Sequence, residues 1–234
     1  RSLEELGGRM QALGGQPWCI NSIEDITPRD AAGRAESIAQ LGRTAAIARA
    51  IGAPGIVVVP GPAPAGFGRA DAIADAVEVL RMMSDVAGDI GLAFEFLGKP
   101  GCSVPTLDMA IEIVATVDRP NVGMVIDTFH FYAGGSRIED LARVPVEKLF
   151  VVHLNGCEDR PRGELTDAHR LFPGEGVIPI GGILHALRAR GFDGTMSVEI
   201  FRPEYWERGP LDVAREARAK AEGVLLNVGY TIDG

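Results

Sequence analysis

The chain has little positive charge. Its 234 residues include 23 Lys and Arg against 32 Asp and Glu, which gives a net charge of −9 at pH 7 and an isoelectric point near 5.0. No stretch interleaves Lys and Arg with aromatic residues, as nucleic-acid-binding surfaces commonly do. The composition therefore argues against nucleic acid as a partner and favours small, neutral, polar substrates.

Cysteines and long hydrophobic runs are also scarce. The three cysteines are odd in number, irregularly spaced and without a CxxC pair, in a chain too large to need disulfides. No apolar run approaches the roughly 20 residues of a membrane-spanning helix, and the N-terminus lacks the pattern of a signal peptide. We therefore expect a cytoplasmic protein that makes no use of a membrane.

Short β-rich runs alternate with longer segments whose apolar residues recur at helical spacing. This alternation is typical of repeated βα units around a parallel sheet. Strands are predicted at residues 18–23, 55–60, 91–97, 122–128, 149–155 and 195–201. Helices are predicted at residues 3–13, 31–51, 70–87, 106–117, 138–142, 180–190 and 211–228.

The alternation predicts an α/β fold of the TIM-type (β/α)8 class, with residues 1–234 in a single domain, since such barrels reach about 250 residues. A closed barrel of this class has eight strands, and six are predicted here. The helical segment 3–13 follows no predicted strand. We therefore expect that the first two strands and the first helix lie before Arg1, so that the barrel is N-terminally incomplete.

Four of the predicted strands carry a potential metal ligand near their C-terminal ends, namely Glu95, Asp127, His153 and Glu199. In parallel barrels these ends carry the working residues. Any one of these acids could equally cap a helix or pair with an arginine. Four ionisable groups on otherwise apolar strands favour a shared cation instead. Mainly carboxylate ligands with one imidazole suit one divalent ion, Mn²⁺, Mg²⁺, Co²⁺ or Zn²⁺.

Five stretches carry a family resemblance: AFEFLG followed by GCSV, NVGMVIDTFHFYAGGS, FVVHLNGCED, RGELTDAHRLFPGEGVI and SVEIFRPEYW. With them the chain resembles the xylose isomerase-like barrel family of sugar isomerases and epimerases, in particular its inosose (2-keto-myo-inositol) isomerase branch, from about Leu3 onward. The resemblance implies that the four strand-end residues bind one divalent ion. Asn155 and Gly156 depart from the acidic residues that follow the ligand histidine in that branch, which bears on the substrate more than on the metal.

The resemblance also implies a reaction. A keto-sugar or keto-inositol would be isomerised or epimerised by proton transfer through a metal-stabilised enediolate. Glu95 and Glu199 would exchange the protons as well as bind the ion. His130 would contact the developing oxyanion, and Arg202 would contact the substrate.

Two further substrate contacts are predicted from position in the chain. Residues 155–176 form a long, charged segment rich in Gly and Pro, and long loops in compact domains are often functional. We interpret this segment as a lid that brings Arg170 to the substrate, with a plain surface loop as the alternative. Lys99 follows the Glu95 strand closely enough to reach substrate, although lysines are most often simply solvated.

Other functions remain open at this point. A ketose 3-epimerase or a hydroxypyruvate isomerase would use the same barrel. An endonuclease IV-like metal-dependent hydrolase would need more histidines than the four present, and the acidic charge argues against it. A non-catalytic sugar-binding barrel is disfavoured because all four ligand residues are retained. The resemblance places the chain in carbohydrate metabolism, with inositol catabolism as the specific case, and implies a possible homodimer.

Overall fold

The computed structural model describes residues 2–232. Its helices are α1 (Leu3–Ala12), α2 (Ala31–Ile51), α3 (Arg69–Ala87), α4 (Leu107–Val117), α5 (Thr128–Ala133), α6 (Ile180–Ala189), α7 (Pro203–Trp206) and α8 (Pro210–Asn227). Its strands are β1 (Cys19–Ile23), β2 (Gly55–Val58), β3 (Gly91–Glu95), β4 (Val122–Asp127), β5 (Leu149–Leu154), β6 (Gly156–Cys157), β7 (Arg170–Leu171) and β8 (Thr195–Val198). Within these residues, no helix combines the length and apolarity needed to cross a bilayer.

Six strands form one sheet in the order β1-β2-β3-β4-β5-β8. Pairing is parallel where β2 joins β1 and β3, with Gly55 opposite Gly91, and where β5 joins β8, with Val151 opposite Thr195. Strands β2 and β4 are buried at every position, as parallel strands covered on both faces are. The six strands predicted from sequence all lie in this sheet.

Contacts divide the chain into two compact units. The first comprises residues 1–96, 101–104 and 109–124, and the second comprises residues 97–100, 105–108 and 125–234. In the first unit, Ala45 and Ala48 on α2 and Leu80 and Met83 on α3 are fully or almost fully buried. In the second, Val152 on β5 and the apolar face of α6 supply buried side chains.

The ends of α2 show how local sequence sets an element. Asp30 caps the N-terminus by accepting a hydrogen bond from the Gly33 N–H at 2.8 Å. The helix ends at Gly52, whose φ of +79° suits a residue without a Cβ atom, and Pro54 follows. The predicted range of residues 31–51 is therefore the observed one.

Several predicted elements are wrong in detail. Residues 138–142 were expected as an α-helix, but Ile138–Arg143 is a 3₁₀ helix. The loop expected at residues 155–176 holds the antiparallel pair β6 and β7 and two 3₁₀ turns, Arg162–Glu164 and Asp167–His169. Thr128, expected to end a strand, begins α5, because Asp127 caps that helix by accepting a hydrogen bond from the His130 N–H.

Candidate metal centre

The structure brings together the four strand-end residues singled out in the sequence. Glu95 ends β3, Asp127 ends β4, His153 lies in β5, and Glu199 follows β8 directly. Each offers one ligand atom, and these atoms all lie within 4.8 Å of one another. Glu95, Asp127 and His153 are buried, and the Glu199 side chain is 14% exposed.

Distances within the second unit show that ligand atoms converge. His153 Nδ1 lies 3.5 Å from Glu199 Oε2 and 4.0 Å from Asp127 Oδ2. Atoms that bind a common ion at about 2.1 Å lie roughly 3 to 3.5 Å apart. These two separations are close to that range, and the donor set suits one divalent ion.

Asp127 is the most constrained of the four. Its Oδ1 accepts from the His130 N–H at 2.8 Å, and its Oδ2 accepts from Asn155 Nδ2 at 3.0 Å and from Arg170 Nη1 at 2.6 Å. Burial is the largest single influence and would raise the pKa of this carboxyl, but the Arg170 guanidinium, the nearby His130 and His153 and the His130 N–H together hold the pKa well below its usual range. Asp127 is therefore ionised, which a metal-binding carboxyl must be.

Arg170 is a buried cation at this centre. Its side chain is 1% exposed, and Nη1 lies 3.2 Å from Glu199 Oε2 in addition to its contact with Asp127. Burial opposes its charge, but Asp127 and Glu199 raise its pKa above the ordinary value. The Phe129 ring centroid lies 4.6 Å from Cζ. Residues 155–176 were expected to form a lid, yet the part of that segment carrying Arg170 is strand β7 with a buried side chain.

His130 lies in α5 and is buried beside Arg170. Its Nε2 is 3.2 Å from Arg170 Nη2. Its Nδ1 is buried and finds no hydrogen-bond partner in the part of the chain that the structure describes. Burial lowers the pKa of the imidazole to about 4, and the Arg170 charge acts in the same direction. His130 is therefore neutral near pH 7.

The other two predicted substrate contacts pair with acids outside the four-residue group. Arg202 Nη1 donates to Glu158 Oε1 at 2.7 Å, and Nη2 donates to Glu204 at 3.2 Å. Lys99 Nζ lies 2.9 Å from Asp167 Oδ2. The roles of Arg202 and Lys99 in substrate binding stay predictions.

Two residues that support Asp127 were missed in the sequence. Asn155, noted there as a departure from the family, is fully buried and donates to Asp127. Thr128 Oγ1 accepts from the Asn155 N–H at 3.0 Å. It also lies 2.8 Å from the backbone oxygen and 2.8 Å from the side-chain oxygen of Asn155, and the Thr128 hydroxyl donates to one of these two. The sequence signal that could have identified these two residues is the presence of a polar residue directly after each of two buried strands.

The fold and the metal centre define a parallel α/β protein of the TIM-barrel class with a site for one divalent ion. Residues 1–222 match the family model described as the xylose isomerase-like TIM barrel. The chain belongs to that family.

Curated relatives and a solved structure agree with this membership. Inosose isomerase of Halalkalibacterium halodurans is 36% identical over 219 residues, covering 93% of this chain and 78% of the relative. Inosose isomerase of Bacillus subtilis is 38% identical over 215 residues, covering 91% and 76%. A 1.8 Å crystal structure of IolI protein with a zinc atom superposes with a TM-score of 0.95 at 34% identity, covering 99% of this chain and 84% of IolI. The chain is an enzyme of the isomerase class with a metal-binding site.

Proposed function

We propose that this enzyme isomerises an inosose by moving a proton from the carbon beside the carbonyl to the carbonyl carbon, so that the carbonyl group shifts to the neighbouring carbon. The observation that carries the proposal is the convergence of three carboxylates and one imidazole, with ligand atoms within 4.8 Å, on a chain similar to inosose isomerases. The cyclitol substrate is taken from those relatives.

In this proposal Glu95, Asp127, His153 and Glu199 hold the divalent ion. The buried, ionised Asp127 carboxylate and the imidazole of His153 suit Zn²⁺ or Mn²⁺. When bound, the ion supplies Lewis-acid stabilisation of negative charge that develops on substrate oxygens.

The protein's own groups move the protons. Glu199, the most exposed of the four side chains, removes the proton from the carbon beside the carbonyl, and Glu95 gives a proton to the former carbonyl carbon of the resulting enediolate. A proton passes from the neighbouring hydroxyl oxygen to the old carbonyl oxygen, and the two carboxyl groups exchange protons with solvent before the next turnover. The Arg170 guanidinium lies 3.2 Å from Glu199 Oε2 and orients that carboxyl group. His130 supports a substrate oxygen by hydrogen bonding, and Arg170, Arg202 and Lys99 are proposed substrate contacts.

The proposal is tested by proton exchange. Protein with Mn²⁺ in D₂O is offered scyllo-inosose and a panel of small ketoses, with and without EDTA, and deuterium uptake beside the carbonyl is followed by NMR. We expect metal-dependent uptake into the inosose. Uptake into a ketose alone would make the substrate a ketose rather than an inosose, and bound metal without uptake into any candidate would exclude the proposed reaction.

Glu199→Gln tests the acid–base assignment. Loss of the proton-transferring carboxylate is expected to slow exchange by about 10²-fold or more. Glu207→Gln makes the same chemical change at an exposed position in the same segment and serves as the control. Near-normal exchange in Glu199→Gln, with metal bound, would contradict the role of Glu199.

A further inference from the structure

The contact between Arg170 and His130 determines where the imidazole proton lies. Arg170 Nη2 is 3.2 Å from His130 Nε2. A guanidinium carries five N–H donors and no acceptor, so Nε2 must be the acceptor in this contact. An accepting Nε2 is unprotonated, and the single N–H of the neutral ring is then on Nδ1.

This tautomer depends on the direction in which the guanidinium points. The Arg170 group is a rigid planar fork, so fixing one edge and one face fixes the directions of both Nη atoms. The face packs against the Phe129 ring, whose centroid is 4.6 Å from Cζ. The Nε edge donates to Asp167 Oδ1 at 3.0 Å.

Asp167 is itself held at both carboxylate oxygens. Its Oδ1 accepts from Arg170, and its Oδ2 lies 2.9 Å from Lys99 Nζ. The residue begins the 3₁₀ turn Asp167–His169, and His169 Nδ1 accepts from the Thr166 N–H at 3.0 Å at the start of that turn. Both side-chain rotation and backbone position are therefore restricted, which makes Asp167 a firm anchor for the arginine.

We infer that Asp167 is a positioning residue: by holding Nε of Arg170 it directs Nη2 at His130 and so keeps His130 in the Nδ1–H tautomer. Asp167 need not touch substrate or metal for this effect. Its influence passes through the guanidinium of Arg170.

The tautomer gives the orphaned Nδ1 atom a function. Nδ1 is buried and has no hydrogen-bond partner among residues 2–232, and a buried donor without an acceptor is unfavourable. An acceptor supplied by a ligand would satisfy it, and a substrate oxygen that gains negative charge is a suitable one. That use of the donor rests on the proposed function, whereas the tautomer itself does not.

The test measures the tautomer directly, without substrate or metal. Full-length ¹⁵N-histidine-labelled protein in EDTA at pH 7 is examined by long-range ¹H–¹⁵N correlation NMR, which distinguishes protonated from unprotonated ring nitrogens. The chain has four histidines, and His130→Asn assigns the signals of His130. We expect wild-type His130 to show a protonated Nδ1 and an unprotonated Nε2.

Asp167→Ala should free the Nε edge, so that the guanidinium, still held at Nη1 by Asp127 and Glu199, turns away from His130. The proton should then move wholly or partly to Nε2, the more populated site for a free imidazole in water. Asp167→Ser, whose hydroxyl is too short to reach Nε, gives the same prediction and is used if the alanine variant does not fold. Asp159→Ala removes an exposed carboxylate from the same segment and should leave the tautomer unchanged.

A protonated Nε2 in wild type would overturn the assignment of the tautomer. An unchanged His130 spectrum in folded Asp167→Ala or Asp167→Ser would overturn the positioning role. A purely structural contribution of Asp167 would lower stability without moving the proton. Because no substrate is present, neither outcome depends on whether the enzyme acts on an inosose.

Discussion

Replacing Arg170 by methionine should destabilise the metal-free protein strongly. The guanidinium is 1% exposed and lies 2.6 Å from Asp127 Oδ2 and 3.2 Å from Glu199 Oε2. Methionine keeps much of the side-chain volume but leaves a fully buried carboxylate without its cation. Removing one partner of a buried ion pair costs about 3–5 kcal/mol. Against a typical folding stability of about 5–15 kcal/mol, this loss is large but leaves a measurable folded state.

Arg202→Met is the matched control. Arg202 also pairs with two carboxylates, Glu158 at 2.7 Å and Glu204 at 3.2 Å, but its own side chain is 18% exposed and that of Glu204 is 64% exposed. Ion pairs open to solvent contribute about 0–1 kcal/mol. Urea unfolding in EDTA at pH 7, with the slope compared between variants, measures both losses. A loss in Arg170→Met no larger than in Arg202→Met would refute the reasoning.

The pH dependence of the difference in unfolding free energy between wild type and Arg170→Met gives a second check. In wild type the pKa of Asp127 lies below its unfolded value of about 3.9, so its stabilising contribution is present above that value and is lost as the pH falls through the folded pKa. In Arg170→Met the strongest influence that opposes burial is lost, and we expect the pKa of Asp127 to rise above about 3.9. The ionised carboxylate then destabilises the variant at higher pH. The difference in unfolding free energy between the two proteins should therefore be largest near neutrality and become smaller towards pH 4. A difference that grows on acidification would contradict this account.

Two further predictions concern the ion and the segment that carries Arg170. Mn²⁺ at about 100 times its Kd should add about 2.7 kcal/mol to the free energy of unfolding, which raises Tm by roughly 5–10 °C for a chain of this size. EDTA should reverse this shift in a thermal scan. An equal shift in Asp127→Asn would be inconsistent with the site. Gly176→Ala should lower stability by about 2 kcal/mol or more, because φ is +73° and a Cβ would lie 1.7 Å from the Cys157 carbonyl oxygen. Gly181→Ala, with nothing within 4 Å of the added Cβ and a helical backbone, is the control and should be neutral or stabilising in urea unfolding; similar losses in the two variants would argue against a close approach at Gly176.

The six sheet strands were predictable because a buried parallel strand is a short apolar run between residues that interrupt it. Strand β4, Val122–Asp127, is buried at all six positions and stands out in the sequence for that reason. The residues at which the strands end were less predictable. Residues up to 97 and 201 were assigned to strands that end at Glu95 and Val198. In both cases apolar residues continue past the point where the backbone leaves the sheet, and side-chain pattern alone does not mark that point.

The grouping of the four strand-end residues was predictable for a related reason, since a topology of parallel strands places such residues at one edge of the sheet. The position of Arg170 was not. Residues 155–176 have no regular apolar period, so nothing in the sequence showed that this segment would fold into β7 and bury a guanidinium against Asp127. The role of Asp167 was hidden in the same way, because its contacts to Lys99 and Arg170 form only after that segment has folded.

Asp127 explains why the metal site and the local fold are difficult to separate by mutation. Its Oδ1 caps α5, the helix that carries His130, and its Oδ2 accepts from Asn155 and Arg170. A change at Asp127 would therefore remove a proposed ligand, weaken a helix start and take away an acceptor shared by Asn155 and Arg170. Asp167 contacts Arg170 and Lys99 but not the cap of α5 or Asn155, so its replacement alters the direction of the guanidinium and leaves that cap and Asn155 in place. The electrostatic arrangement of the site is accordingly best probed through Asp167, and substitution of a ligand reports on the site and the fold together.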